Sequence, residues 1–216
     1  MNLQTHRPIL TVLCLATLMM MPSIGLTEDW PGWRGAKGNN HAPENTDAPL
    51  RWDIESGTNI VWKTAIPGRG HSSPVVVKDS IFLTTAETDK QTQSLLKFDR
   101  ESGRLIDQWE LHRGTLPRRI HPNNSYASPT PVFDGEHLFV AFHTDDAIWL
   151  TAMTTNGQKI WSIRVCDFKP SAFQFGYGAS PLIEDDLVIV AAEYDGAASG
   201  LYAISRRTGK QVWMQP

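Results

Sequence analysis

The sequence predicts an all-β fold made of four-stranded antiparallel sheets that recur along the chain. Three observations carry this. Eight Trp, 16 Gly and 14 Pro are spread through 216 residues, a composition of short strands and turns. Apolar runs bounded by turn residues dominate, with no amphipathic helical stretch longer than two turns beyond the N-terminal apolar segment. Two separate markers also recur with one period.

The first marker is a Trp that follows a Gly or small polar turn. It occurs as "SGTNIVW" to Trp62, "SGRLIDQW" to Trp109, "NGQKIW" to Trp161 and "TGKQVW" to Trp213, at spacings of 47, 52 and 52 residues. The second is "SSPVVV", "ASPTPV" and "ASPLIE", whose prolines Pro74, Pro129 and Pro181 lie 55 and 52 residues apart.

Each repeat resolves into four apolar runs. The first contains "SSPVVV", "SIFLTTA", "SLLKFD" and "RLIDQWEL". The second contains "ASPTPV", "HLFVAFH", "AIWLTAM" and "QKIWSIRV". The third contains "ASPLIE", "LVIVAAE", "GLYAIS" and "KQVW". "KD", "FDGE" and "EDD" between the first two runs are tight-turn sequences. Four antiparallel strands per roughly 50 residues make one blade of a β-propeller. The expectation is three blades plus one isolated outer strand, "NIVWKTAI", around Trp62. A closed ring of roughly seven or eight blades needs about twice this length, so an open arc is expected. Its free edge should pair with another polypeptide or with the missing C-terminal half of a propeller. Trp62, Trp109, Trp161 and Trp213 are expected on outer strands as wedges between blades. Gly103, Gly157 and Gly209 are expected to let the preceding turn bend.

The first 27 residues read as a secretory signal peptide. Arg7 precedes an apolar run from Ile9 to Met21, followed by small residues and then Glu28 and Asp29. The run is too short for a membrane span, so no span is expected after cleavage. The expected organisation is a signal peptide at 1–27, an N-terminal lead-in segment at 28–57 and propeller repeats at 58–216. Export places the protein in the periplasm or outside the cell. Removal of the leader takes Arg7 and no acid, moving the net charge from −3 to −4, which gives nucleic acid no basic face to bind. It also leaves Cys166 as the one cysteine, without a disulfide partner in the chain.

These residues resemble the pyrroloquinoline-quinone-type (PQQ-like) β-propeller repeat family. "AISRRTGKQVW" is similar to the family's tryptophan-docking pattern of Ala, Asp, Gly and Trp at Ala203, Gly209 and Trp213, with Ser205 in place of Asp. "AMTTNGQKIW" is one residue short and has Thr154 at that position. "KFDRESGRLIDQW" keeps Asp99 but is two residues long before Trp109. "DWPGWRG", "IPGRGHSSPVV" and "HPNNSYASPTPVFDG" look like the opening and first blades of secreted bacterial members. The chain thus looks like an N-terminal part of a longer member. The resemblance implies one of two activities. One is that of quinoprotein alcohol dehydrogenase-like enzymes, with PQQ and Ca²⁺ over the channel. The other is that of non-catalytic, BamB-like propellers that bind proteins. Missing signatures and degenerate docking repeats favour an exported, non-catalytic binding scaffold. The alternative is a PQQ- and Ca-dependent dehydrogenase or a fragment of one.

In this architecture a ligand face is formed by loops that enter the innermost strand and loops that join the second and third strands. The first set offers His71, Arg118, Arg119, His121, Asn123, Tyr126 and Tyr177. Its cations and amides suit an anionic or polyhydroxylated ligand. The second set offers Glu87, Asp145, Glu193 and Asp195, hard oxygen ligands of the kind Ca²⁺ takes. No catalytic residue is assigned. Adjacent cysteines, a Walker loop and a Gly-x-Ser-x-Gly nucleophile are absent.

Overall fold

The structure is a computed structural model and describes residues 29–42, 48–172 and 175–216. The signal peptide expected at 1–27 lies outside the described residues. Among the described residues, twelve strands form three sheets, each a simple meander. The first holds β1 (Val75–Val77), β2 (Ser80–Glu87), β3 (Thr92–Asp99) and β4 (Leu105–Arg113). The second holds β5 (Val132–Phe133), β6 (His137–Thr144), β7 (Ala147–Thr154) and β8 (Lys159–Asp167). The third holds β9 (Leu182–Glu184), β10 (Leu187–Ala192), β11 (Gly200–Ser205) and β12 (Gln211–Gln215). Each sheet is one of the four-run sets of the sequence.

Two-residue turns join β1 to β2, β6 to β7 and β9 to β10. Lys78 and Asp185 take positive φ between β1 and β2 and between β9 and β10. Asp145 and Asp146 both take positive φ, at 50° and 54°, the backbone of a type I′ hairpin that matches strand twist. The inner strands are short because the residues before them bond across to the next sheet. Ser73 N donates to Thr130 Oγ1 at 2.9 Å, and Thr130 N to Ser180 Oγ at 2.9 Å. The His71 N–H donates to Ala127 O at 3.0 Å. The Ser-Pro marker is therefore a seam of bonds that runs from sheet to sheet. Its prolines lack the donor that a longer ladder would need.

The core lies between the sheets. Phe82, Leu95 and Leu111 of the first sheet meet Leu138, Phe142 and Met153 of the second. Phe139, Ile148 and Leu150 on the second sheet's other face meet Val188, Tyr202 and Ile204 of the third. Strands β6 and β7 are covered on both faces, so nearly every residue in them is buried. Full burial of each such Phe, Leu or Ile contributes about 1.5–3 kcal/mol.

The Trp and Gly markers close on one another across sheets. A Cβ on Gly103 would lie 2.4 Å from the Trp62 ring, one on Gly157 would lie 2.3 Å from Trp109, and one on Gly209 would lie 2.9 Å from Trp161. Each Trp thus covers the glycine of the following repeat, not the glycine before it. That glycine has positive φ in all three cases (68°, 86° and 70°). Trp62 Nε1 donates to Arg100 O at 3.0 Å and Trp161 Nε1 to Arg206 O at 3.1 Å. The residues at the family's Asp position cap this turn whether or not they are Asp. Asp99 Oδ1 accepts from Ser102 N, Thr154 Oγ1 from Gln158 N, and Ser205 Oγ from Thr208 N. Ser205 replaces the carboxylate in a turn closed as at Asp99, Gly209 N donating to Ser205 O as Gly103 N does to Asp99 O, whereas the turn at Thr154 is one residue tighter, closed by Gly157 N to Thr154 O.

The segment 59–66, expected as an isolated strand, forms no ladder among the described residues. An extended run without a hydrogen-bonded neighbour is not a strand, yet its Trp62 docks like the others. The lead-in segment also makes contacts. Trp30 and Val76 exchange backbone bonds of 2.8 and 2.9 Å, and Phe133 N donates to Pro31 O at 2.7 Å. These tie residues 30–31 to the inner strands of two sheets. No helix of the described residues is long and apolar enough to cross a membrane.

Candidate functional site

Strand direction puts both predicted loop sets at one end of the sheets. β2, β6 and β10 run up to that end, and β1, β5 and β9 start from it. The loop sets do meet there, but most of the predicted groups are occupied in holding the loops.

The carboxylates are the clearest case. Asp195 accepts from Ser171 N at 2.9 Å, from Ser171 Oγ and from Ala172 N at 2.9 Å. The Ser171 hydroxyl and these amides bring its pKa down to about 2. Asp145 Oδ1 accepts from Thr115 N at 2.7 Å and pins the start of the 114–131 loop. Glu87 pairs with Lys90 Nζ at 2.6 Å and accepts from Gln108 Nε2 at 3.2 Å. The Lys90 bond lowers its pKa. Glu193 is exposed on the third sheet's loop. Glu87 and Asp145 stand on separate turns, Glu193 and Asp195 share the loop after β10, and no three His, Cys, Asp or Glu among the described residues converge on one point. Ca²⁺ takes six to eight oxygens at 2.3–2.6 Å. The four candidate acids do not form a calcium site among the described residues.

The polar loop residues divide in two. His121, Asn123 and Asn124 build their own loop. Asn123 N donates to His121 Nδ1 at 3.2 Å, Asn124 N to His121 O at 2.8 Å, and Asn124 Nδ2 to Phe175 O at 2.6 Å. Tyr177 is buried and its hydroxyl donates to Ala191 O at 3.0 Å. Burial raises its pKa far above the usual phenol value. Tyr126 packs on the core between the first two sheets, and its carbonyl accepts from Gln93 Nε2 at 2.6 Å. His71 is exposed, with its backbone in the inter-sheet seam.

Arg118 and Arg119 remain. They are exposed and line a cleft of about 670 Å³ above the second sheet, with Thr115, His143, Phe168 and Lys169. Neither forms an ion pair among the described residues. The sequence reading missed His143. It is 7 % exposed, and neither ring nitrogen has a hydrogen-bond partner. Its ring meets the Phe168 ring edge-on at 4.9 Å. Burial lowers its pKa, and the Phe168 backbone offsets this in part without reaching hydrogen-bond geometry. Only its place as a polar residue near the end of the apolar run "HLFVAFHT" marks it in the sequence.

A family model described as "Outer membrane protein assembly factor BamB" matches residues 45–170 and 122–216. The quinoprotein ethanol dehydrogenase of Pseudomonas putida is 27 % identical over 155 residues, which cover 68 % of this chain and 23 % of the relative. Among solved structures, a europium-containing methanol dehydrogenase matches with a TM-score of 0.46 at 15 % identity, over 68 % of this chain and 24 % of that one. The chain therefore spans about a quarter of the length of these relatives. With three successive four-stranded sheets and a family match that covers most of its residues, the chain belongs to the PQQ-like, BamB-type β-propeller repeat family.

Proposed function

We propose that the chain is an exported, non-catalytic propeller segment that acts as a binding scaffold, with the open face of its third sheet as the binding surface. One observation carries this reading. Leu182, Ile189, Ala203 and Trp213 are paired across all four strands of that sheet and so share one face. In the second sheet the corresponding row is Val132, Phe139, Ala152 and Trp161, packed against the third sheet. The ends of the third sheet's row face solvent, with Leu182 59 % and Trp213 40 % exposed and Leu201 beside them 44 % exposed, while Ile189 is half-buried and Ala203 buried between them. Every other docking Trp covers a positive-φ glycine of a neighbouring repeat. The partner that fits Trp213 is a further sheet of the same blade type, from the C-terminal half of a propeller or from another polypeptide, whose turn offers such a glycine and a carbonyl for Nε1. An apolar face of this kind marks a protein interface.

Sedimentation velocity on the full chain tests this. Concentration-dependent association is expected, and Leu182→Lys with Trp213→Ser should abolish it without lowering the melting temperature. A wild-type monomer that is monodisperse and melts cooperatively at all concentrations overturns the reading. So does PQQ-dependent dye reduction by the purified chain. Export rests on the leader sequence and is tested by N-terminal sequencing of protein from the periplasm. A second reading, a segment of a quinoprotein dehydrogenase, is supported by the ethanol dehydrogenase relative. It requires PQQ with Ca²⁺ to raise the melting temperature at saturation.

A further inference from the structure

We propose that the cleft above the second sheet binds a small oxyanion, a carboxylate or phosphate group, held by the buried imidazole of His143 and the guanidinium groups of Arg118 and Arg119. This goes beyond the scaffold reading and uses a different surface.

The argument starts from the ring. A neutral imidazole has one N–H to donate and one lone pair to accept with. A buried polar group left unpaired loses its hydration without compensation, and native proteins rarely retain one without a use. At His143 both nitrogens are unpaired in a ring that is almost wholly buried yet lines an open cleft. The position of the ring is set from two sides. The Phe168 ring packs against it, and Gln93 Nε2 holds its backbone carbonyl at 3.1 Å.

The charge of the cleft is one-sided. Arg118, Arg119 and Lys169 face a single lining carboxylate, Asp146, which Lys169 approaches at 3.6 Å. The adjacent Asp145 accepts from Thr115 N. Two guanidinium groups without a carboxylate partner among the described residues are the donors that oxyanions take in a bidentate manner. Three elements supply these groups: the loop after β4, the end of β6 and the loop after β8. A volume of about 670 Å³ is within the range of small-molecule sites.

The test is a titration of the full chain with inorganic phosphate and, separately, oxalate at constant ionic strength, followed by the His143 ring resonances in NMR. A saturable shift with one or both anions, absent with chloride, is the expected result, and its size in the two arms identifies the preferred oxyanion. Arg118→Ala with Arg119→Ala should weaken binding roughly tenfold or more. His143→Leu removes no protein hydrogen bond, so it should keep the fold while weakening binding by a similar factor. The proposal is overturned if the shifts do not saturate. It is also overturned if the double arginine variant or His143→Leu binds as well as the parent. If His143→Leu unfolds, His143→Gln decides, since its amide keeps a donor and should retain binding.

Discussion

Replacing Gly157 with Ala tests the docking geometry directly. Its φ is +86°, and the added methyl would stand 2.3 Å from Trp109 Nε1 and 2.4 Å from Cε2. Two costs follow. The left-handed backbone costs an L-residue about 1–2 kcal/mol. The ring must then retreat by about 1 Å to reach ordinary contact, in a packed interface where overpacking costs about 1–3 kcal/mol. The sum is about 2–5 kcal/mol. Gly135→Ala separates the two, since Gly135 has φ +100° with no atom within 4 Å of the added Cβ, so only the backbone cost of about 1–2 kcal/mol applies. Urea unfolding of the full chain by far-UV circular dichroism measures both variants, and Trp fluorescence reports movement of the ring. In a Trp109→Ala background, the penalty of Gly157→Ala should fall to that of the control. If Gly157→Ala costs no more than Gly135→Ala, or if its excess survives loss of Trp109, the Trp-on-Gly account is wrong.

The remaining predictions concern pH, the loops and calcium. His112 is packed against Trp149 and Phe142, with Thr151 Oγ1 at 3.3 Å, and its pKa is lowered to about 4 by burial first and by Lys159 second, with Asp145 opposing. Its folded pKa lies below the unfolded value of about 6.5, so the unfolded chain binds more protons between the two. Stability is therefore intact above pH 6.5 and falls as pH drops, by about 3 kcal/mol in total once pH passes about 4; His143 acts in the same direction. Urea midpoints against pH check this, and an unchanged acid slope in His112→Leu would contradict it. Asp195→Ala should speed proteolysis near residues 171–172 while leaving the urea midpoint nearly unchanged, because it releases only that exposed loop. In the parent, the Asp195 contribution is present above the ordinary carboxyl pKa and is lost as pH falls through about 2. Excess Ca²⁺ alone should not move the melting temperature, since Glu87, Asp145 and Asp195 are each engaged by their own loop partners.

The twelve strands, their turns and the blade period are legible in the sequence because each is a local property: runs such as "SIFLTTA" and "LVIVAAE" need only their own alternation and their flanking turn residues. The lack of a ladder at 59–66 is not local, since a strand exists only where a second one pairs with it. Nor is the target of each Trp. The sequence places Gly157 next to Trp161, but the sheets set it beneath Trp109. The same limit applies to the loops. Glu87, Asp145 and Asp195 carry the residue type of calcium ligands, and only the packed loops show each bound to a nearby amide, hydroxyl or ammonium group. His143 reads as a polar residue near a strand end until the loop after β8 lays Phe168 against it and buries a ring with nothing to bond. Residue type and periodicity are written along the chain and determine the strands. Which groups remain unspent is decided by contacts between residues tens of positions apart, and those form only when the sheets pack.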